Sequence, residues 1–103
     1  MNTSVLLIDE PQEGIRRLTM NRPEKHNALN DDLRLAIFEN LRDADSDKDV
    51  SVIVIRGAGE SFCSGYDLSS VNNPVERTSS TTDGWWSRHV VANWFEMWDM
   101  SKP

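Results

Sequence analysis

The sequence predicts an α/β domain built around one buried parallel strand at residues 51–56. Four consecutive β-branched residues, Val52 to Ile55, form an apolar run that is typical of a strand covered on both faces. A helical pattern precedes this run, and a segment containing three glycines follows it. An earlier strand, the helix and this strand together predict a βαβ unit.

The first part of the chain predicts an antiparallel hairpin over residues 4–21. Val5 to Ile8 is a short apolar run, and residues 10–14 contain the proline and glycine typical of a turn. The run from Ile15 to Met20 alternates imperfectly and predicts the second strand. Its alternation sets apolar Ile15, Leu18 and Met20 against polar Arg16, Arg17 and Thr19.

A helix is predicted over residues 31–45. Asn30 is a favourable N-cap, and Asp31 and Asp32 follow at the positive end of the helix dipole, where carboxylates are stabilising. Apolar residues recur at helical spacing, so this helix is amphipathic. The apolar stripe consists of Leu33, Ile37, Leu41 and Ala44.

Residues 57–68, called here the glycine loop, follow the buried strand. Their glycines allow the backbone to approach a ligand closely. Asp67 is a candidate N-cap for a short helix from about Leu68, which would leave unpaired backbone N–H groups at the junction. Such groups suit a phosphate or an enolate oxygen, so the glycine loop is the predicted site of chemistry.

The last third of the chain is predicted to contain a loop and a helix. Residues 69–83 are polar, rich in serine and threonine and without periodicity, which predicts a mobile loop. Residues 84–100 return to helical spacing and carry all four tryptophans. Because the chain is acidic, these aromatic side chains are interpreted as core or subunit interface rather than as a platform for stacking bases.

Composition excludes several partners. A net charge of −6 over 103 residues argues against nucleic acid and anionic membrane surfaces. No apolar run is long enough to span a bilayer, and no cleavable signal sequence begins at Met1. A single cysteine excludes an intrachain disulfide and is typical of the reducing cytoplasm, where we expect this protein to be.

Three other interpretations fit the residues less well. The dinucleotide-binding fingerprint lacks its third glycine, because Phe62 stands at that position. Cys63 has no local motif that joins it to His26 or His89, so a small buried thiol is favoured over a nucleophile. Two histidines and one cysteine show no ligand spacing, and no metal site is expected.

Two motifs, separated by the predicted helix, resemble those of the crotonase superfamily, whose best-known members are enoyl-CoA hydratases and isomerases. The first motif runs from Asn21 to Asn30 (NRPEKHNALN). The second combines Val52–Gly57 (VIVIRG) with Phe62–Leu68 (FCSGYDL). This resemblance covers essentially the whole chain and implies the N-terminal part of a crotonase-like ββα superhelix. It also implies acyl-CoA substrates, no cofactor beyond the coenzyme A of the substrate, and trimers or hexamers.

The same resemblance implies which residues act. Family members polarise the thioester carbonyl with two backbone N–H groups, and the first corresponds to that of Tyr66, beside Gly65. The side chains of Lys25 and His26 and the backbone around Ala28 would meet the adenine and phosphates of CoA. The implied substrate-binding residues are Lys25, His26, Ala28, Ser64, Gly65, Tyr66, Asp67 and Leu68.

The resemblance also implies what this chain lacks. The second N–H donor and the general acid and base are expected beyond residue 103, and Glu60 and Asp67 are given no such role. We therefore expect a lyase or isomerase of the enoyl-CoA hydratase/isomerase type, of which this chain alone is not catalytically complete. A homo-oligomer or a complementing C-terminal chain would supply the rest. The alternative is a truncated, non-catalytic fragment that binds CoA thioesters or takes part in assembly.

Overall fold

The computed structural model describes residues 4–68 and 91–103. Within these ranges the chain forms two compact units, one made of residues 4–66 with 101–103 and the other of residues 67, 68 and 91–100. The predicted loop at 69–83 and the first residues of the predicted helix at 84–100 lie outside the described residues. No helix in the described part is long and apolar enough to cross a membrane.

The predicted hairpin is confirmed, with strand β1 at Leu6–Gln12 and strand β2 at Ile15–Met20. The predicted turn at 10–14 is too long, because β1 continues to Gln12 and only Glu13 and Gly14 form the turn. A shift in register between Asp9 and Gln12 accommodates Pro11, which has no N–H to donate to the ladder.

The predicted helix is confirmed as α1, Asp31–Ser46. Asn30 caps it, since its side-chain oxygen accepts a hydrogen bond from the Leu33 N–H at 2.9 Å. The apolar stripe is buried and packs with the inner residues of β1 and β2 into the core. The core side chains include Leu6, Leu18, Met20, Leu33, Ile37, Phe38, Leu41, Ala44 and Val50.

Strand β3, Val52–Gly57, pairs in parallel with β2, which confirms the βαβ unit. In the described part of the chain the sheet has the order β1-β2-β3. The prediction that this strand is buried on both faces is wrong, because none of its residues is buried and Val54 is 37% exposed. The reason is its place at the edge of the described sheet, where the Ile53 N–H donates to the Pro103 carbonyl at 2.9 Å.

In β2, one polar residue faces the core, although the pattern of apolar and polar residues places it on the outer side. The strand places Arg16 on the same side as Leu18 and Met20, and the side chain of Arg16 is only 11% exposed. Its guanidinium bonds to Glu10, to Asp43 and to Asp47, at 3.1, 3.2 and 2.9 Å. These carboxylates, of which Asp43 lies in the last turns of α1 and Asp47 caps its C-terminus, compensate the arginine charge, so a polar side chain can face inward.

The second unit contains helix α2, Ala92–Trp98, within the range predicted to be helical. None of its residues is buried, and Trp98 is 82% exposed. The ring centroids of Phe95 and Trp98 lie 6.3 Å apart with the rings tilted by 44°. The expectation of a core helix is therefore not met by the described residues of this helix, and the interface interpretation stays a prediction.

Candidate functional site

Two backbone segments of the first unit form the candidate site. One is the motif segment, residues 21–30, which joins β2 to α1, and the other is the part of the glycine loop up to residue 66, which follows β3. Because β2 and β3 are parallel neighbours, both segments leave the sheet at the same end, where the two strands have their C-termini. The fold therefore brings together two motifs that lie about thirty residues apart in the sequence.

The motif segment contains a tight turn with an uncommon backbone conformation. A 3₁₀ turn at Pro23–Lys25 is followed by His26 and Asn27, whose φ angles are +51° and +56°. Left-handed conformations are uncommon for residues other than glycine, and asparagine and histidine are among those that adopt them most readily. These two residues turn the chain back so that it runs beside the glycine loop.

Backbone hydrogen bonds join the two segments. The Ser64 N–H donates to the His26 carbonyl at 3.1 Å, and the Leu29 N–H donates to the Gly65 carbonyl at 2.7 Å. Leu29 and Tyr66 form an isolated parallel bridge. The glycine loop is thus held by main-chain bonds and does not depend on side chains alone for its position.

Side chains add two further contacts in this region. His26 Nδ1 lies 3.0 Å from Ser61 Oγ, and the Gly65 N–H donates to Cys63 Sγ at 3.4 Å. The prediction that Cys63 is a small buried thiol is wrong, because its residue is only partly buried. Its sulfur bonds to a backbone N–H of the loop, which keeps it at the surface of the turn.

The predicted site residues differ in accessibility. Lys25, His26 and Ser64 are exposed, and Tyr66 is 38% exposed. Gly65, with φ +104°, has open space where a side chain would be, since an added Cβ would meet nothing within 4 Å. This arrangement leaves room for a ligand beside the Gly65–Tyr66 peptide.

Ala28 is less accessible than the sequence suggested. It is 9% exposed, its N–H donates to the Lys25 carbonyl at 3.0 Å, and its carbonyl accepts from the Arg22 guanidinium. A ligand could use only the second lone pair of that carbonyl. The remaining predicted residues belong to the second unit, in which Asp67 is partly buried and Leu68 is 76% exposed.

One residue of the site was not singled out by its sequence pattern. Asn27 is fully buried, and its side chain bonds to the backbone of both segments. The signal was weak but present, because an asparagine before an apolar run often occupies a turn position with positive φ. Within the described residues, no group of three or more His, Cys, Asp or Glu side chains could hold a metal ion.

Comparison with known proteins decides the family. The enoyl-CoA hydratase/isomerase profile matches residues 10–103 of this chain. The chain belongs to the enoyl-CoA hydratase/isomerase family. Its fold is accordingly the N-terminal part of the crotonase fold, as the two motifs predicted.

Relatives in this family include both hydratases and isomerases. The 1,2-epoxyphenylacetyl-CoA isomerase of Escherichia coli is 33% identical over 77 residues, which cover 75% of this chain and 29% of that enzyme. The peroxisomal Delta(3,5)-Delta(2,4)-dienoyl-CoA isomerase of Arabidopsis thaliana is 42% identical over 70 residues, covering 68% of this chain and 25% of the isomerase. Membership of the family therefore leaves the reaction type open.

Solved structures agree with the assignment. The enoyl-CoA hydratase of Mycobacterium tuberculosis H37Rv is 43% identical with a TM-score of 0.64, over 68% of this chain and 31% of the hydratase. A protein of Mycobacterium smegmatis described as a probable enoyl-CoA hydratase is 25% identical with a TM-score of 0.79, over 98% of this chain and 39% of its own. The chain thus spans between 25% and 39% of the length of these four proteins.

Proposed function

We propose that this chain forms the substrate-polarising part of an enzyme that acts on acyl-CoA thioesters, with the Tyr66 backbone N–H as an oxyanion donor. The reaction is of the hydratase or isomerase type, and coenzyme A enters only as part of the substrate. The observation that carries the proposal is the hydrogen bond from the Leu29 N–H to the Gly65 carbonyl, 2.7 Å long.

That bond supports the role of Tyr66 through the geometry of the peptide group. A trans peptide is planar, and its C=O and N–H point in opposite directions. With the Gly65 carbonyl directed at Leu29, the Tyr66 N–H is directed away from Leu29. The absence of a side chain at Gly65 leaves space there for a thioester carbonyl.

The chemistry needs such a donor. Proton abstraction next to a thioester, or addition to an enoyl thioester, places negative charge on the carbonyl oxygen. A donor held in position before the reaction lowers the energy of that charge, and one such donor is worth about 3 kcal/mol. Because the donor is main chain, the Tyr66 side chain is available to shape the acyl pocket.

The CoA moiety is assigned to the exposed side of the motif segment. Lys25 carries an exposed ammonium group, and the exposed His26 lies beside it. Two adjacent basic side chains in a chain of net charge −6 favour the phosphates of CoA over neutral ligands. Ser64, also exposed, lies within the same strip of surface, bonded through its N–H to His26.

The general acid and base are assigned to residues outside this chain, together with a second oxyanion donor. Glu60 and Asp67 are given neither role. The complete protein is proposed to be cytoplasmic and to act on fatty acyl chains. It is proposed either to form a homo-oligomer, as a trimer or a hexamer, or to be completed by a separate C-terminal chain. Turnover then requires more than residues 1–103, whereas polarisation of the carbonyl does not.

The test follows from that separation. Crotonyl-CoA carrying ¹³C at the thioester carbonyl is titrated with this chain, and the carbonyl resonance and the affinity are recorded. A matched titration with free CoA, which has no thioester carbonyl, gives the affinity for the CoA moiety alone. We expect a downfield shift in the bound thioester, and its loss in Gly65→Pro, since proline cannot adopt the φ of +104° found there. An unshifted carbonyl in the wild-type complex, or a shift that survives in Gly65→Pro, contradicts the assignment.

A second candidate function is non-catalytic: the chain binds CoA thioesters or takes part in assembly. It shares the CoA contacts but assigns no catalytic role to the Tyr66 N–H. It predicts equal affinity for free CoA and crotonyl-CoA and no change of the carbonyl resonance. The same titration therefore distinguishes the two.

A further inference from the structure

Asn27 occupies the junction between the two segments of the site. The residue is 0% exposed, and its side chain makes three hydrogen bonds, all of them to backbone groups. Oδ1 accepts from the Arg22 N–H at 2.8 Å, closing the turn of the motif segment. Nδ2 donates to the carbonyls of Ala58 and Ser61, at 3.0 and 2.9 Å, both in the glycine loop.

The surroundings of Asn27 are shaped to admit these contacts. Gly57 provides the space, because a Cβ at that position would lie 2.7 Å from Asn27 Nδ2. Asn27 itself has a left-handed φ of +56°. The residues that flank it make the two backbone bonds that hold the loop: the His26 carbonyl accepts from the Ser64 N–H, and the Leu29 N–H donates to the Gly65 carbonyl.

We infer that Asn27 is a positioning residue, which sets the Gly65–Tyr66 peptide by tying the glycine loop to the motif segment. This inference deepens the proposed function and rests on it for its catalytic meaning. Because Asn27 is fully buried, it acts through its bonds to the backbone of Ala58 and Ser61 and not by contact with the thioester. A buried amide with one acceptor and two donors, all bonded, is the only uncharged side chain that supplies this set.

The substitution Asn27→Asp separates this role from packing. The introduced carboxyl has nearly the same shape and keeps the acceptor for the Arg22 N–H. When ionised, it has no proton to donate and places a negative charge against the carbonyl oxygens of Ala58 and Ser61. When protonated, it regains one donor, so its effect must reverse as the pH falls toward the elevated pKa of a buried carboxyl.

The experiment measures protection of backbone amides from hydrogen exchange in the full chain, wild type against Asn27→Asp. At neutral pH we expect the protection of the Leu29 and Ser64 amides from exchange to fall about tenfold or more, because the one or two hydrogen bonds from residue 27 to the loop carbonyls are lost. The protection of the β2–β3 amides should be retained. At a pH near the carboxyl pKa, about 4 or above, part of the loss should be recovered. Wild type at each pH is the control for every effect of pH other than that of residue 27; the charged and titratable side chains in the two segments around it are Arg22, Glu24, Lys25, His26 and Glu60.

A second measurement needs no substitution. In the unaltered chain, the Asn27 side-chain N–H₂ protons should exchange as slowly as the Leu29 amide, because one opening exposes both. If they exchange more than about tenfold faster, the side chain is not holding the loop, and the inference is overturned. This comparison decides the matter even if Asn27→Asp does not fold.

The remaining outcomes are equally decisive. Unchanged protection of Leu29 and Ser64 in Asn27→Asp overturns the inference, and so does an equal loss throughout the sheet that does not reverse at low pH. The ¹³C carbonyl shift of bound crotonyl-CoA is then compared: it should diminish in Asn27→Asp and return with protonation. If wild type gives no shift, the proposed function fails, while the exchange data still decide the positioning role.

Discussion

The Leu29 N–H donates a 2.7 Å hydrogen bond to the Gly65 carbonyl, across thirty-six positions of the sequence. This bond and the one from the Ser64 N–H to the His26 carbonyl join the two sequence motifs on which the resemblance to the crotonase superfamily rests. The Gly65 carbonyl accepts the bond from Leu29, and this orients the N–H of the same peptide group, which belongs to Tyr66. The first motif is therefore a scaffold for the second as well as a candidate CoA contact.

Gly65→Ala tests the backbone conformation of the loop without a steric clash. The added Cβ meets nothing within 4 Å, but φ is +104°, a region that alanine rarely adopts. We expect the free energy of unfolding to fall by about 1–3 kcal/mol, or the loop to relax and lose its bond to Leu29. Urea denaturation and the Leu29 amide shift distinguish these outcomes.

Gly14→Ala is the matched control for that variant. Gly14 also has a positive φ, +83°, and an added Cβ would have only ordinary contact with Ser51, but it lies in the β1–β2 turn at the opposite end of β2. Both variants should lose stability, whereas only Gly65→Ala should reduce the carbonyl shift of crotonyl-CoA. Equal loss of that shift in both would mean that global stability, not loop conformation, governs binding.

Much of the fold could be predicted from local pattern. The Asn30 cap and the stripe on α1 follow from rules that act within one or two turns of a helix. The exposure of β3 and the length of β1 could not be predicted in this way, because they depend on neighbours and on a bulge. The inward position of Arg16 likewise depends on carboxylates 27 and 31 residues further along the chain.

The candidate site was predicted in part. The strand followed by a glycine loop located Gly65 and Tyr66, since a turn of this kind presents main-chain N–H groups. Asn27 was missed because nothing local distinguishes an asparagine that bonds two distant carbonyls from one in an ordinary turn. Its role became visible only when burial and hydrogen bonds were known together.

Gly57→Ala tests sterics at the base of the loop, where φ is not strained. A Cβ there would overlap the carbonyl oxygens of Ser61 and Phe62 and approach Asn27 Nδ2 to 2.7 Å. These atoms belong to backbone and to a bonded amide, so they have little freedom to move. We expect a loss of about 1–3 kcal/mol in the free energy of unfolding, measured by urea denaturation. A change within about 0.5 kcal/mol would mean that the loop opens at no cost.

Arg16→Met and Arg17→Met form a matched pair on adjacent positions of β2. Arg16 is 11% exposed and contacts three carboxylates, whereas Arg17 is 24% exposed and, among the described residues, is paired with the carboxylate of Asp9. Removing Arg16 leaves those three carboxylates without their shared cation, so we expect a loss of about 1–2 kcal/mol. For Arg17 we expect a smaller loss, because an ion pair with an exposed partner contributes little to stability. Equal losses in urea denaturation would show that burial of Arg16 contributes nothing.

Acid should destabilise the first unit through Asp9 and Asp47. The Asp49 N–H and, further, Arg16 lower the pKa of Asp47, and the hydrogen bond from Arg17 lowers that of Asp9. A lowered pKa means that the unfolded chain binds more protons than the folded one in this range, so stability rises with pH there. The contribution is complete above the unfolded value of about 4 and is lost as the pH falls through the lower folded values.

The urea midpoint should therefore stay nearly constant from neutral pH to about 5 and then decrease. Asp47→Asn keeps the backbone carbonyl that binds Lys102 but cannot titrate. It should be less stable than wild type at neutral pH, and its deficit should be smaller at about pH 3, which is below the ordinary carboxyl pKa of the unfolded chain. A wild-type midpoint that is the same at both pH values would refute this account. So would an Asp47→Asn variant whose deficit against wild type is undiminished in acid, because the lowered pKa of Asp47 would then contribute nothing to the stability of the folded chain.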